Sequence, residues 1–258
     1  AYAYAPSAVT AFLAATATKV AVYVMLRFML EVFGVDFSLG AMPLDRILMA
    51  LGLIGILSAS LVAVFQYDVK RMLAYSSVAQ IGYMLLGIGL ASTTGVGAAI
   101  LHIFNHALMK GALFLALGAV AYRIGAVTLR DFAGLGRRMP WTMAAIAIGG
   151  LSLIGVPPTA GFVSKWYLVL ATLEQGLWPV AVLILIGSLL ALVYVWRLIE
   201  AAYFETVAKD APKVPEAPAS MLIPVWILVA ANLYFGINTD ISVGAAMQAA
   251  TMLMGAGG

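Results

Sequence analysis

The sequence contains no cysteine and very little charge. Of its 258 residues, 10% are charged and 64% are hydrophobic, whereas soluble globular domains carry about 25% charged residues. A soluble globular protein is therefore excluded, and a mean hydropathy of +1.05 indicates an integral membrane protein. The lack of cysteine excludes disulfides, cysteine-ligated zinc and iron–sulfur clusters. The apolar runs are unbroken rather than alternating, which favours membrane-spanning helices over a transmembrane barrel.

Other absences narrow the function further. Glycine-rich stretches such as LGLIG at 51–55 are not followed by Gly-Lys-Ser/Thr, so we expect them to pack helices rather than to bind phosphate. The apolar runs leave no soluble domain, and we expect no nucleic-acid partner, no cofactor and no bound metal. The opening AYAYAPSAV has neither an initiator Met nor the pattern of a signal peptide. We therefore expect the chain to begin in the middle of something larger.

The sequence predicts an all-α polytopic membrane protein with about seven transmembrane helices, since one helical span needs about 20 apolar residues. The predicted spans are 7–33, 44–66, 71–91, 96–123, 140–173, 177–205 and 221–237. A charged, proline-rich linker occupies 206–220. We expect the small, Met-rich stretch at 239–254 to lie at the membrane interface.

The distribution of basic residues predicts an orientation, because Lys and Arg concentrate in cytoplasmic loops. The loops at 67–71, 123–139 and 206–219 contain Lys70, Arg71, Arg123, Arg130, Arg137, Arg138, Lys209 and Lys213. The loops on the other side contain only Arg46. We therefore expect a cytoplasmic N-terminus and an extracytoplasmic C-terminus, in a bacterial inner membrane.

The fifth predicted span is too long for one straight helix and has Gly155, Pro157 and Pro158 in its middle. Proline removes a backbone donor and clashes with the preceding turn, so we predict a discontinuous helix near 155–158. A break at membrane depth is tolerated only where it lines a polar cavity or is packed in protein. Such breaks mark binding sites in transporters.

Five titratable side chains fall inside the predicted spans. They are Lys19, His102, His106, Lys110 and Lys165. Each lysine near the bilayer centre costs about 2.5–3.5 kcal/mol, which favours function over structure. Lys70 begins the third span, where it either anchors the helix or takes up protons at the cytoplasmic side.

His102, His106 and Lys110 follow one another at i, i+4 and i+8, which places them on one face of a helix. Histidine titrates near neutral pH, so this row favours a proton relay over a packing seam. Haem ligation is the rival interpretation. It is disfavoured because both histidines point the same way and the chain contains no other histidine.

Four stretches resemble one known family. They are YAPSAVTAFLAATATKVAVY, DVKRMLAYSSVAQIGYMLLG, ILHIFNHALMKGALFLALG and GLSLIGVPPTAGFVSKWYL. Together they resemble the antiporter-like membrane subunits of respiratory complex I, membrane-bound hydrogenases and Mrp-type cation/proton antiporters. The D-type component of the Mrp antiporters is the nearest pattern.

The resemblance implies a fold of two inverted five-helix repeats, of which this chain supplies the second half. Residues 1–34 would be the last helix of the first repeat, 42–205 the second repeat, 206–220 the cytoplasmic linker and 221–258 a trailing helix with an interfacial tail. By position, Lys19 matches the family's central lysine, His102, His106 and Lys110 match its relay, and Lys165 matches the terminal group. The first repeat is missing, so the resemblance implies a fragment, a split subunit or a partial chain. This puts independent transport in doubt.

The resemblance also implies a function and its partners. We expect a proton-translocating subunit of a multisubunit monovalent cation/proton antiporter, with a polar axis running from Lys19 through His102, His106 and Lys110 to Lys165. The expected partners are other subunits of a membrane complex, the bilayer, protons and Na⁺ or K⁺. One alternative is a redox-driven proton pump, in which case the chain is part of a translocating enzyme. Another is a structural helix bundle without transport.

Overall fold

The computed structural model describes residues 5–125, 127–206 and 214–255, which are almost entirely helical. The α-helices are α1 (Ser7–Phe12), α2 (Thr18–Arg27), α3 (Leu44–Val64), α4 (Val69–Gly89), α5 (Thr93–Ile124), α6 (Leu135–Arg138), α7 (Pro140–Ile154), α8 (Ala160–Glu174), α9 (Trp178–Tyr203), α10 (Ala219–Ile237) and α11 (Asp240–Gly255). Wider π-helical turns occupy Leu13–Ala17, Phe28–Val32 and Asp36–Ala41, and a 3₁₀ turn occupies Leu129–Phe132. Lys209 and Lys213 of the predicted basic loops, and the chain ends at 1–4 and 256–258, lie outside the described residues.

The predicted all-α membrane fold is confirmed. Within the described ranges, six helical stretches are long and apolar enough to cross a membrane: Val9–Val32, Leu44–Val64, Val69–Gly89, Thr93–Ile124, Trp178–Tyr203 and Ala219–Ile237. We call residues 7–32 the first crossing. A seventh crossing is made of the half-length helices α7 and α8.

Helices α3 and α4 approach each other through glycine. A Cβ atom on Gly52 would lie 2.7 Å from the carbonyl oxygen of Gly82, and a Cβ on Gly82 would lie 2.7 Å from that of Gly52. Only glycine lets two backbones come this close, as is common between membrane helices. The expectation that the LGLIG stretch packs helices is confirmed.

The discontinuous helix is present where the sequence predicts it. Helix α7 ends at Gly155, whose φ of +91° is a left-handed conformation that favours glycine. The Pro157–Pro158 peptide bond is cis, and α8 begins three residues after Pro157, at Ala160. Because α7 stops in the middle of the crossing, its last backbone carbonyls have no partners within the helix.

The first crossing contains a backbone irregularity that its sequence does not predict. The π-helical turn at Leu13–Ala17 comes directly before α2, and Lys19 is the second residue of α2. A π-turn changes the i→i−4 pairing of the backbone and is frequent at functional sites. No proline or glycine marks this turn, which is why only the break after α7 is visible from the sequence.

Helix α5 is the longest helix of the described ranges, and its contacts show how α10 and α11 run. Gly111 packs against Leu228 of α10, and the ring of Phe104 lies 4.9 Å from that of Phe235. Gly97, nearer the start of α5, packs against Met247 of α11. Helix α11 therefore continues in the direction of α10, and both run antiparallel to α5. The two helices are interrupted at residues 238–239. Helix α11, in the stretch expected to be interfacial, packs lengthwise on the first part of α5.

The loops rich in Lys and Arg meet at one end of the bundle, which we call the basic end. Asp68 pairs with Thr128 in an isolated bridge, and Arg123 donates to the carbonyl oxygen of Glu216 at 2.5 Å. At the opposite end, Gln175 donates to the carbonyl oxygen of Leu90. The loops therefore alternate between the two ends of the bundle, as the predicted spans require.

Candidate functional site

The five titratable side chains predicted within the spans are all buried. Lys110 and His106 have no exposed surface, and His102, Lys19 and Lys165 are at most 6% exposed. We call these five residues the basic row. None of the five forms an ion pair with another described residue, and the Arg27–Glu31 pair lies outside the row. The row is therefore a set of basic groups held in a low-dielectric interior without carboxylates, where like charges strongly oppose one another.

His102 and His106 form the centre of the row. Their rings are parallel within 2° and their centroids lie 5.9 Å apart. His102 Nδ1 is 2.8 Å from Ser164 Oγ, and His102 Nε2 is 2.9 Å from Gln80 Oε1. Neither ring nitrogen of His106 has a hydrogen-bond partner among the described residues. The parallel rings come from neighbouring turns of one helix and leave no room for a haem between them, which disfavours the haem interpretation.

Lys110 lies one helical turn beyond His106, towards the basic end. Its ammonium donates to the carbonyl oxygen of Leu73 at 2.8 Å and to Ser76 Oγ. The ring of Phe114 is 5.7 Å away, close enough for a cation–π contact. Lys110 is therefore held by α4 and by its own helix.

Lys19 is held by the irregular turn that precedes it. Its ammonium donates to the carbonyl oxygen of Ala14, within the π-helical turn, and to Thr18 Oγ1 at 3.3 Å. The π-helical turn packs on α5, since a Cβ atom on Gly111 would lie 3.8 Å from the Cβ of Ala15. Lys19, one turn beyond Ala15, therefore lies beside α5 although it comes from a different crossing.

Lys165 is held by the end of the broken helix. Its ammonium donates to the carbonyl oxygens of Leu153 at 2.7 Å and Ile154 at 3.1 Å, and to Ser188 Oγ at 3.1 Å. The two carbonyls are the last of α7, where the helix dipole is negative. The ring of Tyr83 adds a cation–π contact at 4.7 Å. Lys165 thus caps the half-helix that the break exposes.

The order of the row differs from the order along the chain. The ring of Tyr83 lies 5.8 Å from that of His102 and also contacts Lys165. Ser164, the neighbour of Lys165 in sequence, is hydrogen-bonded to His102. The structure therefore brings Lys165 to His102, whereas Lys110 lies two helical turns away on α5.

An open pocket of about 380 Å³ lies beside Lys165, between α8 and α9, and exposed side chains such as Trp166 form its outer rim. Gly155, Lys165 and Ser188 line it together with apolar side chains such as Phe162 and Leu189. The break thus leaves room next to the terminal lysine. Lys70, by contrast, lies at the basic end and donates to the carbonyl oxygen of Ala5, away from the row.

Sequence reasoning missed the neutral partners of the row. Ser76, Gln80 and Tyr83 contact Lys110, His102 and Lys165, respectively. A signal was available, because these three residues recur at i, i+4 and i+7 within an apolar span and so share one face of α4. Ser188 carried no such signal, since it is an isolated polar residue of α9.

Comparisons with known proteins give a consistent result. A family model described as "NADH:quinone oxidoreductase/Mrp antiporter, TM" matches residues 1–191. The N-type component of the NADH-quinone oxidoreductase of Desulforudis audaxviator is 42% identical, covering 88% of this chain and 48% of that protein. The D-type component of the Na⁺/H⁺ antiporter of Alkalihalophilus pseudofirmus is 29% identical, covering 91% and 47%.

A solved structure of similar fold is the membrane-bound sulfane sulfur reductase, an archaeal respiratory membrane complex. One of its chains aligns with a TM-score of 0.88 and 33% identity, over 98% of this chain and 50% of that one. The chain spans about half the length of the curated relatives it matches.

Proposed function

The chain belongs to the family of NADH:quinone oxidoreductase and Mrp antiporter transmembrane subunits, and we propose that it is part of a proton-translocating subunit of a multisubunit monovalent cation/proton antiporter. Family membership makes it an antiporter-like membrane subunit. Beyond family membership, we propose that the chain takes part in transport, that Na⁺ or K⁺ is the exchanged cation, and that other membrane subunits are its partners.

The observation that carries the proposal is the basic row. Five buried basic groups follow one another across the bundle, with hydroxyl, amide and carbonyl partners but no carboxylate among the described residues. Histidine exchanges protons near neutral pH, and a lysine without a carboxylate partner is not locked in its charged form by an ion pair. The row has the composition of a proton path.

The mechanism follows from the charges. Two ammonium groups in a low-dielectric interior repel each other, so protonation of one group favours release of the proton from its neighbour. A proton arriving at Lys19 would shift charge among Lys110, His106 and His102 on α5. From His102 the charge would pass to Lys165. Because Lys165 lies at the helix break beside an open pocket, it is the group from which the proton would leave.

The test is a pH-gradient dye in inverted vesicles that contain the native assembly. After a gradient is established, Na⁺ or K⁺ is added, and the wild type is compared with Lys165→Ala. We expect cation-triggered dequenching to fall by about a hundredfold in the variant, the scale on which removal of a proton-transfer group acts. Arg130→Ala, which removes an exposed basic residue at the basic end, is the control and should keep wild-type activity. Normal transport by Lys165→Ala would refute the proposal.

A second candidate is a proton pump driven by a redox partner. The 42% identity to a component of an NADH-quinone oxidoreductase favours it, and the same row would serve. The dye assay separates the two candidates: proton uptake that requires an electron donor and ignores added cations identifies the redox-driven pump.

A further inference from the structure

The proline-rich linker returns to the bundle at Glu216, whose carboxylate caps the half-helix α7. The backbone N–H of Trp141 donates to Glu216 Oε2 at 2.8 Å, and Thr142 Oγ1 donates to Glu216 Oε1 at 2.5 Å. Both donors belong to the first turn of α7, whose own N-cap residue, Met139, gives no side-chain hydrogen bond. A carboxylate is stabilised at this end of a helix, where unpaired N–H groups carry partial positive charge. Glu216 therefore supplies the missing cap from 75 residues beyond Trp141.

The backbone around Glu216 is restricted and held in place. Pro215 precedes it and Pro218 follows two residues later, and each proline fixes its own φ and restricts the residue before it. Arg123, near the end of α5, donates to the carbonyl oxygen of Glu216 at 2.5 Å, and the backbone N–H of Ala217 donates to Glu216 Oε1 at 2.9 Å. Little conformational freedom is therefore lost when this carboxylate binds α7.

The opposite end of α7 holds Lys165. The carbonyl oxygens of Leu153 and Ile154 accept from its ammonium. Helix α7 has 15 residues and is therefore about 22 Å long. One half-helix thus carries a carboxylate at its positive end and an ammonium at its negative end, and its dipole stabilises both. Glu216 and Lys165 do not need to touch in order to depend on each other, because both are bound to the same helix.

The middle of α7 contacts its neighbours through side chains rather than through backbone. A Cβ atom on Gly149 would lie 2.9 Å from the side chain of Leu113, and one on Gly150 would lie 2.7 Å from that of Val195. Because side chains can rotate between conformers, these contacts fix the position of α7 along its axis less firmly than the hydrogen bonds at its ends do. Loss of the Glu216 cap should therefore allow the helix to shift.

At the break, α7 abuts the start of α8. A Cβ atom on Gly161 would overlap the carbonyl oxygen of Ser152, and Ser152 Oγ donates to Asn232 Oδ1 of α10 at 2.9 Å. A shift of α7 would therefore move the carbonyls beneath Lys165 and also press on the helix that carries Lys165.

We propose that Glu216 is a positioning residue for Lys165. By fixing α7 at the basic end, its carboxylate sets where the carbonyls of Leu153 and Ile154 lie beneath the ammonium. The inference rests on the proposed function only in treating Lys165 as the group that releases the proton. It makes residues 214–218 of the linker a place where a change at the basic end reaches the helix break.

Hydrogen–deuterium exchange of the native assembly tests this coupling without a transport measurement. The wild type is compared with Glu216→Ala, which removes the cap, and with Glu216→Gln, whose amide can accept from Trp141 and donate to Thr142 but carries no charge. Glu205→Ala is the matched control, because Glu205 is an exposed acidic residue at the same end and the cap is made by Glu216.

Three groups of peptides are followed. Those that contain Trp141 report the capped end of α7. Those that contain Gly155 and Val156 report the far end, where both N–H groups donate to the carbonyl oxygen of Leu151. Peptides of α3 report general loosening of the bundle, which would raise exchange everywhere.

We expect Glu216→Ala to raise exchange about tenfold at both ends of α7 and to leave α3 unchanged. Glu216→Gln should give a smaller increase, because it preserves the shape of the cap, and Glu205→Ala should exchange like the wild type. A purely local cap would change only the peptides that contain Trp141. That result, or an equal increase in α3, would overturn the proposal.

The dye assay adds a kinetic test. Glu216→Ala should lower the rate of dequenching by about tenfold to a hundredfold and leave the cation concentration for half-maximal dequenching unchanged, because Lys165 and not the cation site is displaced. A wild-type rate in Glu216→Ala, where Lys165→Ala is inactive, would overturn the positioning role. Normal transport by Lys165→Ala would instead refute the proposed function, and the exchange result would still decide whether Glu216 positions α7.

Discussion

At the scale of single residues, the buried lysines share one kind of partner, the backbone carbonyl. Lys165 donates to Leu153 and Ile154, and Lys110 donates to Leu73. A carbonyl stabilises an ammonium by a hydrogen bond but brings no full negative charge, so these contacts satisfy the proton donors without forming an ion pair. The lysines are thus held in place without an ion pair, which is what the proposed movement of a proton from group to group requires.

The two histidines should differ in their effect on stability. His102→Phe leaves Gln80 Oε1 and Ser164 Oγ without their ring partner, and we expect a loss of about 1–3 kcal/mol in the free energy of unfolding. His106→Phe removes a ring whose nitrogens have no partner among the described residues, so stability should hardly change. Thermal melting of the purified assembly measures the difference. Equal losses in both variants would contradict the hydrogen-bond assignment.

Transport should follow a different rule from stability. We expect both histidine variants to lose proton translocation by about a hundredfold, because both rings lie in the row. The dye assay in inverted vesicles checks this result. A His106→Phe variant that remains stable and also transports normally would remove His106 from the proposed path.

At the scale of helices, the glycine that ends α7 both shapes the break and makes room for Lys165. Gly155 has φ of +91°, and a Cβ on it would lie 3.0 Å from Lys165 Cδ. Gly176, with φ of +70°, has no atom within 4 Å of the corresponding position. Both glycines therefore have a left-handed backbone conformation, but only Gly155 lies against another side chain, that of Lys165.

This comparison gives a matched pair of variants. Gly155→Ala and Gly176→Ala should each destabilise the protein by roughly 1 kcal/mol, the cost of a left-handed residue with a Cβ. Only Gly155→Ala should also reduce transport, because its methyl group displaces the Lys165 side chain. Melting temperatures and dye dequenching measured on both variants provide the check. Equal transport in the two would show that Lys165 tolerates displacement.

The contact between α3 and α4 allows a second test at the same scale. Gly52→Ala places a methyl group 2.7 Å from the backbone of α4, whereas the same change at Gly55 meets its nearest atom at 3.6 Å. We expect Gly52→Ala to destabilise the bundle by about 1–3 kcal/mol, as overpacking does, and Gly55→Ala to be nearly neutral. Yield and melting temperature of the two variants would show whether the helices can move apart.

At the scale of the whole molecule, the agreement between sequence and structure depends on how locally each feature is encoded. The break after α7 was predictable because Gly155, Pro157 and Pro158 act on their own backbone. The π-helical turn before Lys19 was not, since residues 13–17 are ordinary helix formers. The contact of Lys165 with His102 through Tyr83 depends on how α4, α5 and α8 pack, which residue spacing along one chain does not encode.

The orientation of the molecule is a prediction that can be tested separately. The basic end carries Arg130, Arg137 and Arg138, and the positive-inside rule places it in the cytoplasm. Alkaline phosphatase fused after residue 138 should therefore be inactive, and a fusion after residue 175, at the opposite end, should be active. The reverse pattern would show that the basic end lies on the extracytoplasmic side.

Helix α5 gives the molecule a fixed middle and two adjustable ends. Three of the five basic groups lie on this helix, which runs without interruption from Thr93 to Ile124. Lys19 and Lys165 lie beside irregular backbone, at a π-helical turn and at a broken helix. In the proposed proton path, the three groups on α5 therefore keep a constant spacing, and the irregular backbone lies beside Lys19 and Lys165. Two different energy sources could then operate the same proposed path by acting only on the backbone beside these two lysines.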